Sequence, residues 1–185
     1  IWTIQVYADE GRQRNFNIWL PLRQFLRPDT YFLNPDPGNT ITAPGNAMLV
    51  MTITAYNHRN GSIYAKSGRG FNTREQVKPD LAAPGVAIPG PGLHNNFIEQ
   101  SGTSVAAAHS AGIMALFLQW NVEHYQLGYF YAKQMQSFFY KGAVRDEEYS
   151  YPNSIWGYGI MNLANVFDQF RLTYTAQQIG INILD

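Results

Sequence analysis

The 185-residue chain has no cysteine, so neither a disulfide framework nor a thiolate metal site can hold it together. Charge of either sign is scarce: 13 basic and 13 acidic residues cancel, and charged residues make up only 14% of the chain. Without a net field there is nothing to steer it to nucleic acid or an acidic surface. No stretch approaches the apolar length needed to span a bilayer, no repeat or low-complexity tract is present, and the histidines are not spaced as metal ligands. No cofactor, metal, nucleic-acid or membrane partner is therefore expected. Apolar residues are plentiful, at 45%, which suffices for a sizeable core. The first residues, Ile1-Trp2-Thr3-Ile4-Gln5-Val6-Tyr7, alternate like a strand already under way, without an initiator Met or a signal-like start, so a fragment of a longer protein is expected.

The most informative stretch is Ser101-Gly102-Thr103-Ser104-Val105-Ala106-Ala107-Ala108-His109-Ser110-Ala111-Gly112. It places a serine where a glycine-bearing loop becomes a small-residue helix. A hydroxyl there faces unpaired backbone N–H groups and the positive end of the helix dipole, which favour negative charge on a nearby substrate oxygen. Ser104 is thus a candidate nucleophile, with its own N–H and that of Thr103 as oxyanion donors. The plainer reading of an isolated serine at this place is a helix N-cap.

Two further blocks weigh against that plainer reading: Val77-Lys78-Pro79-Asp80-Leu81-Ala82-Ala83-Pro84-Gly85-Val86 upstream, and Trp156-Gly157-Tyr158-Gly159-Ile160-Met161-Asn162 downstream. Together, and in this order, the three blocks resemble those of the subtilisin-like serine proteases. The segments Tyr31-Phe32-Leu33-Asn34-Pro35-Asp36-Pro37, Asn46-Ala47 and Ile53-Thr54-Ala55-Tyr56-Asn57, with the β-rich start, are similar to the clostridial spore-germination (Csp) proteases and related bacterial subtilases. The resemblance implies an α/β fold. Residues 37–185 would be the C-terminal part of a parallel-sheet catalytic domain, and residues 1–36 the last strands of an inserted β jelly roll. It also implies peptide-bond hydrolysis through an acyl-enzyme, a peptide or protein substrate, and a secreted or spore-associated setting. Gly102, Ser101 and Gln100 would then bind substrate, with Glu99, Gln100 and Ser101 facing its leaving-group side.

The chain departs from the family pattern at Ala108, where proline is usual, and at Thr54, where glycine is usual. Alanine in a helix avoids the ring clash and missing N–H of proline, so Ala108 leaves Ser104 in place. The larger departure concerns the triad. A serine nucleophile of this type needs a histidine base and an aspartate to orient it, in the chain order Asp, His, Ser, which is the order of the well-known subtilisin case. The candidates ahead of Ser104 are Asp9, Asp29, Asp36 and Asp80 with His58 and His94, and none stands in a family-like motif. His58 lies in a hairpin turn and His94 in a Pro/Gly loop. His109 is five residues along the helix, pointing about 140° away from Ser104, and reads as a packed structural histidine. Asn34, Asn39 and Asn46 read as turn residues rather than as the oxyanion asparagine. The general base, its aspartate and the asparagine are expected in an upstream half of the same protein, so the fragment alone should be inert.

Pattern and turn residues predict strands at 1–8 and 15–20 around a turn at Asp9–Arg14, and a boundary loop over 27–46. Strands follow at 48–56, 62–66, 80–83 and 96–100 with a loop at 84–95. Helices are expected at 104–120, 127–140 and 162–170, and a strand-like tail over 171–185. The aromatic run Tyr125, Tyr129, Phe130, Tyr131, Phe138, Phe139 and Tyr140 falls at helical spacings and is expected to be mostly core. Asn60-Gly61-Ser62 reads as a turn. Two functions fit: the serine-bearing part of an active endopeptidase, or a piece of a non-catalytic subtilase homologue acting as a binding or germination-signalling module.

Overall fold

A computed structural model of the chain describes residues 5, 7, 16–21, 23–70, 76–125 and 131–178. The chain divides into two compact units, Ile1–Pro35 and Asp36–Asp185. In the first, the described residues hold one 3-10 turn, Arg23–Phe25. The expected strand at 1–8 and the turn at Asp9–Arg14 fall mainly or wholly outside the described residues. That at 15–20 is corrected: residues 16–20 are not in a strand, and Phe16, Ile18, Trp19 and Leu20 are exposed. A strand exists only through a ladder to a neighbour, and no described segment pairs with this one.

The second unit carries β1 (Ile53–Tyr56), β2 (Leu81–Pro84), β3 (Ile88–Pro91), β4 (Phe97–Gln100), α1 (Thr103–Tyr125), α2 (Ala132–Lys141) and α3 (Leu163–Gln178). β1 and β2 pair in parallel, with Thr54 opposite Ala82 and Ala55 opposite Ala83. The far edge of β2 is closed by the stretch around Ile160: Ala82 donates to the Gly159 carbonyl and accepts from the Met161 N–H, both at 2.9 Å. At β1, the Ala55 carbonyl accepts from the Tyr64 N–H (2.9 Å), while the Ser67 hydroxyl accepts from the Ala55 N–H (3.1 Å) and also donates to that carbonyl (3.2 Å), so a side chain takes the N–H that a continuing third strand would otherwise pair. This is why the expected strand at 62–66 shrinks to one bridge, Tyr56 to Ile63.

α1 lies over the face of this sheet that presents Ala55 and Ala83, and its buried residues, Ala106, Ser110, Phe117 and Asn121, form one narrow stripe. The two ends of that stripe do different work. Ala106 packs on Ala55 and Ala83, where only small side chains let helix and sheet backbones approach. Phe117 enters a second cluster with Leu81, Phe139, Met161, Val166 and Phe170, where its ring meets Phe139 edge-on at 5.6 Å and Phe170 at 5.9 Å. α2 and α3 pack on each other through this aromatic cluster. The aromatic run is therefore largely core, with Tyr131 exposed and Tyr129 and Phe130 outside the described residues.

Several elements differ from expectation for local reasons. The strand at 48–56 is only 53–56, because Pro44–Ala47 makes a turn and the Thr52 N–H is taken by the Asp80 carboxylate. The loop at 84–95 contains β3, since Pro89 and Pro91 sit where a strand does not use their N–H. Residues 171–178 continue α3 instead of forming a strand, with Phe170 and Tyr174 stacked one turn apart at 5.9 Å; residues 179–185 lie outside the described residues. The second helix begins at Ala132 rather than 127, residues 126–130 being outside the described set. One sequence exclusion also needs correcting. α1 holds an 18-residue window of mean hydropathy 1.2, long and apolar enough to cross a membrane by composition alone. It is placed here as the helix that covers the parallel sheet.

Thr54 stands on the opposite face of β1 from α1 and is 1% exposed, with no partner for its hydroxyl among the described residues. A buried hydroxyl without a hydrogen bond keeps its desolvation cost. Thr54→Val is expected to raise stability by about 1 kcal/mol, read as a higher urea midpoint at unchanged slope; a lower midpoint would show that the hydroxyl is satisfied.

Candidate active site

The turn that carries Ser104 hangs from the end of β2. The Gly85 N–H donates to the Tyr56 carbonyl (3.0 Å), and the Gly85 carbonyl accepts from the Gly102 N–H (2.8 Å). A Cβ on Gly85 would lie 2.7 Å from the Ala55 Cβ and 2.8 Å from the Gly102 carbonyl oxygen, so only glycine lets sheet, turn and helix meet here. Gly102 itself is under no such steric demand. The Ser101 hydroxyl accepts from the Ala87 N–H at 2.8 Å, fixing the last residue before the turn to the loop after β2.

α1 begins at Thr103, one residue earlier than expected, so Ser104 sits inside its first turn and is not the N-cap. The Gly102 carbonyl accepts from both Val105 and Ala106 N–H groups at 3.2 Å. That leaves the Thr103 and Ser104 N–H groups without an acceptor among the described residues, at the positive end of a 23-residue helix. The Ser104 side chain is exposed and makes no hydrogen bond among the described residues. Such an arrangement offers an accessible hydroxyl beside two convergent donors, the chemistry of acyl transfer.

The other candidates are not brought to Ser104. His58 and His94 are exposed; His58 lies in the turn where the Gly61 N–H meets the Asn57 carbonyl at 2.8 Å, and His94 adopts φ 59° at the β3–β4 tip. His109 is exposed, not packed, because α1 buries only its 106–110–117–121 stripe and position 109 lies off it. It lines an open groove of about 640 Å³ with Ile88, Pro89, Val105 and Leu116. Asp29 is an exposed partner of Arg27, and Asp36 accepts from the Gly38 N–H at 2.7 Å; Asp9 lies outside the described residues. Asn34 and Asn46 are exposed, and Asn46 sits in the Pro44–Ala47 turn. No Ser-His-Asp constellation exists among the described residues, nor a group of three metal-ligating side chains.

Asp80 has a different role. It is 3% exposed, and its Oδ2 accepts from the Lys78 Nζ and the Thr52 N–H, both at 2.6 Å. Tyr140 donates its hydroxyl to Oδ1, and Lys78 Nζ also donates to the Val50 carbonyl at 2.5 Å. The Tyr140 ring stacks on Tyr158 at 3.9 Å and 7°. Burial, and then the adjoining Asp80 carboxylate, push the Tyr140 hydroxyl well above its ordinary pKa of 10. The main chain of Asp80 joins in, donating to Thr52 and accepting from Tyr158, both at 2.8 Å. Gly157, at φ 60°, passes so close that a Cβ would be 2.3 Å from the Asp80 carbonyl oxygen. Tyr140 and Ser67 were missed from sequence. The alternation that puts residues 78 and 80 on one side of an extended chain was the available signal for the Lys78–Asp80 pair.

Comparison with known proteins shows the family. The profile of the subtilase family matches residues 30–159. The chain belongs to the subtilase family of serine proteases, and it is Csp-like. The CspB protease of Clostridium perfringens superimposes with a TM-score of 0.71 at 34% identity, over 75% of this chain and 30% of that one. The serine protease AprX of Bacillus subtilis is 34% identical over 107 residues, 47% of this chain and 24% of AprX. The prenylagaramide maturation protease PagA shares the fold, with a TM-score of 0.58 at 20% identity over 72% of this chain and 48% of that one. The chain thus spans under a third of CspB and about a quarter of AprX.

Two outcomes follow from the Asp80 cluster. Asp80→Ala strands the Lys78 ammonium, 2% exposed, and is expected to cost about 3–5 kcal/mol in urea unfolding; a loss under 1 kcal/mol would show that the cluster relaxes freely. Because folding raises the Tyr140 pKa, the folded chain holds a proton that the unfolded chain releases once pH passes about 10. The contribution is intact below that pH and lost above it. Tyr140→Phe should therefore flatten the fall of the urea midpoint between about pH 9.5 and 11, and an unchanged slope would contradict the assignment.

Proposed function

We propose that this chain is the serine-bearing C-terminal part of a bacterial subtilisin-like endopeptidase, with Ser104 as the nucleophile. The observation that carries the reading is the free Ser104 hydroxyl in the first turn of α1, beside the unpaired N–H groups of Thr103 and Ser104. In the reaction the Ser104 oxygen attacks a peptide carbonyl while its proton passes to a histidine supplied by an upstream half of the same protein. The tetrahedral oxyanion is met by the Ser104 and Thr103 N–H groups and by an upstream asparagine. The leaving amine takes the proton from the histidine, and water then releases the acyl group by the same steps in reverse roles. Gly102, Ser101 and Gln100 face the leaving-group side. In this reading residues 37–185 end the catalytic domain, and residues 1–36 belong to the end of an inserted domain.

Support for an upstream half comes from α1. Ala107, Ala108, Ala111, Gly112, Ala115 and Leu116 are all exposed on a helix that is apolar nearly all round, and such a helix is ordinarily enclosed. A groove of about 350 Å³ lined by Met51, Ile53, Ala107, Ala111 and Met114 lies beside it. A lone serine hydroxyl is a weak nucleophile at neutral pH, so the chain by itself is expected to show no peptidase activity. In the complete gene product, a fluorophosphonate probe should label Ser104, and Ser104→Ala should abolish labelling and lower casein hydrolysis by at least about a thousandfold. Labelling that survives the substitution would remove Ser104 as the nucleophile.

A further inference from the structure

The start of β2, where Tyr140 meets Asp80, is the opposite end of that strand from the Gly85 turn that leads to Ser104. Positive charge gathers there. Lys133, Gln136, Ser137, Tyr140 and Lys141 fall at i, i+3, i+4, i+7 and i+8 of α2 and so form one stripe, while Phe139, off that stripe, enters the core. The stripe lines an open cavity of about 670 Å³ together with Gln169 of α3, Arg145 and Tyr158. A cavity of that size accommodates a small organic ligand.

No carboxylate lies within ion-pair distance of Lys133, Lys141 or Arg145 among the described residues. Acidic side chains nearby are engaged elsewhere. Asp168, beside Gln169, pairs with Arg171 at 3.4 Å, and Asp146 accepts from the Glu148 N–H at 3.0 Å. Asp146 and Glu147 line an adjoining cavity of about 540 Å³ on the other side of Arg145 and Tyr158. The Asp80 charge behind Tyr140 is matched by Lys78 at 2.6 Å. Three cations thus line one cavity that has no acid on its wall, in a chain whose net charge is zero.

The negative end of a helix dipole attracts cations, which accounts for Lys141 in the last turn of α2. Lys133 has no such account: it stands in the first turn, where the dipole disfavours a cation and no acidic residue is present. The carbonyls at the C-terminal end are also already taken, Phe138 by the Gly142 N–H at 2.9 Å and Tyr140 by Arg145 at 2.7 Å. Arg145 itself is held rigidly. Of the five N–H groups of a guanidinium, its Nε–H goes to the Tyr158 carbonyl at 2.9 Å and one Nη2–H to the Tyr140 carbonyl, which leaves three. These include the outer fork of Nη1 and Nη2. A fixed guanidinium fork matches paired phosphate oxygens, lysines add mobile point charges, and Gln136, Ser137 and Gln169 add neutral donors.

We infer that the groove between α2 and α3 binds a small phosphorylated molecule, with one phosphate on the Arg145 fork and Lys141 and a second anionic group at Lys133. Lys133 and Lys141 are eight residues apart, about 12 Å along the helix. The ligand therefore carries charge at more than one point, as a diphosphate does. This binding does not depend on the role of Ser104.

Inorganic pyrophosphate, titrated calorimetrically into the complete gene product at constant ionic strength and without divalent cations, should bind more tightly than sulfate. Lys133→Gln and Lys141→Gln, both at exposed positions, should each weaken pyrophosphate about fivefold, and the double substitution by the product of the two. Lys66→Gln, at an exposed position outside the groove, should change nothing; an equal loss there would show general charge attraction and overturn the inference. ADP titrated alongside separates the sources of the phosphate: tighter binding than pyrophosphate points to a phosphate ester, equal or weaker binding to a free polyphosphate. No heat from either at millimolar concentration would overturn the inference. A second measurement needs no variant. Pyrophosphate should slow acylation of Lys133 and Lys141 by an N-hydroxysuccinimide ester several-fold, read by peptide mass spectrometry, and leave Lys66 unaffected. Unchanged acylation of the two lysines, or lysines already unreactive before pyrophosphate is added because protein covers the groove, would also overturn it.

Discussion

The second folding unit turns on a single buried carboxylate. Asp80 accepts from Lys78, Thr52 and Tyr140 through its side chain, while its main chain joins Thr52 and Tyr158. An ionised carboxylate out of water is tolerated only when its lone pairs are met by donors and its charge by a cation, and here both conditions hold. The consequence is geometric. Chain segments entering β1, entering β2, ending α2 and forming the glycine turn at 157–159 are all held at one point, and Arg145 reinforces it by donating to the carbonyls of Tyr140 and Tyr158 at 2.7 and 2.9 Å. A hydrophobic cluster of equal size would hold these segments together without fixing their register to one another.

From that point to Ser104 the path is short and stiff. β2 leaves Asp80 with its outer edge closed by Gly159 and Met161 and its inner edge paired to β1, so Leu81, Ala82 and Ala83 are fully buried. Gly85 then holds the Gly102 turn by one hydrogen bond, and α1 starts at once. The small residues Ala55, Ala83 and Ala106 let the helix backbone seat closely on the sheet, which leaves little room for Ser104 to wander. The exposed Ser104 is thus positioned by the buried residues behind it.

Legibility from sequence followed the range of the physics involved. Ser104 was found because its signal is local: glycine, serine and a run of small residues specify a turn into a closely packed helix. The blocks at 77–86 and 156–162 were found by resemblance, yet the reason they occur together, the Asp80 main-chain carbonyl of one accepting from the Tyr158 N–H in the glycine turn of the other, is a contact across some 80 residues and leaves no periodic trace. Tyr140 illustrates this well. Its place among Phe138, Phe139 and Lys141 reads as a core aromatic, and only the fold shows that its hydroxyl is aimed at Asp80. Ser67 substitutes for a strand partner by a side chain, which is why the expected strand at 62–66 was wrong. His109 is exposed where a packed histidine was expected, because the angular offset from Ser104 does not say which stripe of α1 the sheet buries.

That stripe carries a last step of argument. Along α1 the buried positions change from alanine and serine to phenylalanine and asparagine, matching a sheet close by at one end and an aromatic cluster at the other. The exposed positions change too, from Ala107, Ala108 and Ala111 near Ser104 to Leu116, Leu118 and Val122 further on. A solvent-facing helix surface would be expected to carry charge, yet none appears between Thr103 and Gln119. Small residues beside Ser104 suit a neighbouring backbone at close approach, and larger ones beyond suit side-chain packing. Both faces of α1 are therefore graded in the same direction, with small side chains at the Ser104 end and larger ones beyond it.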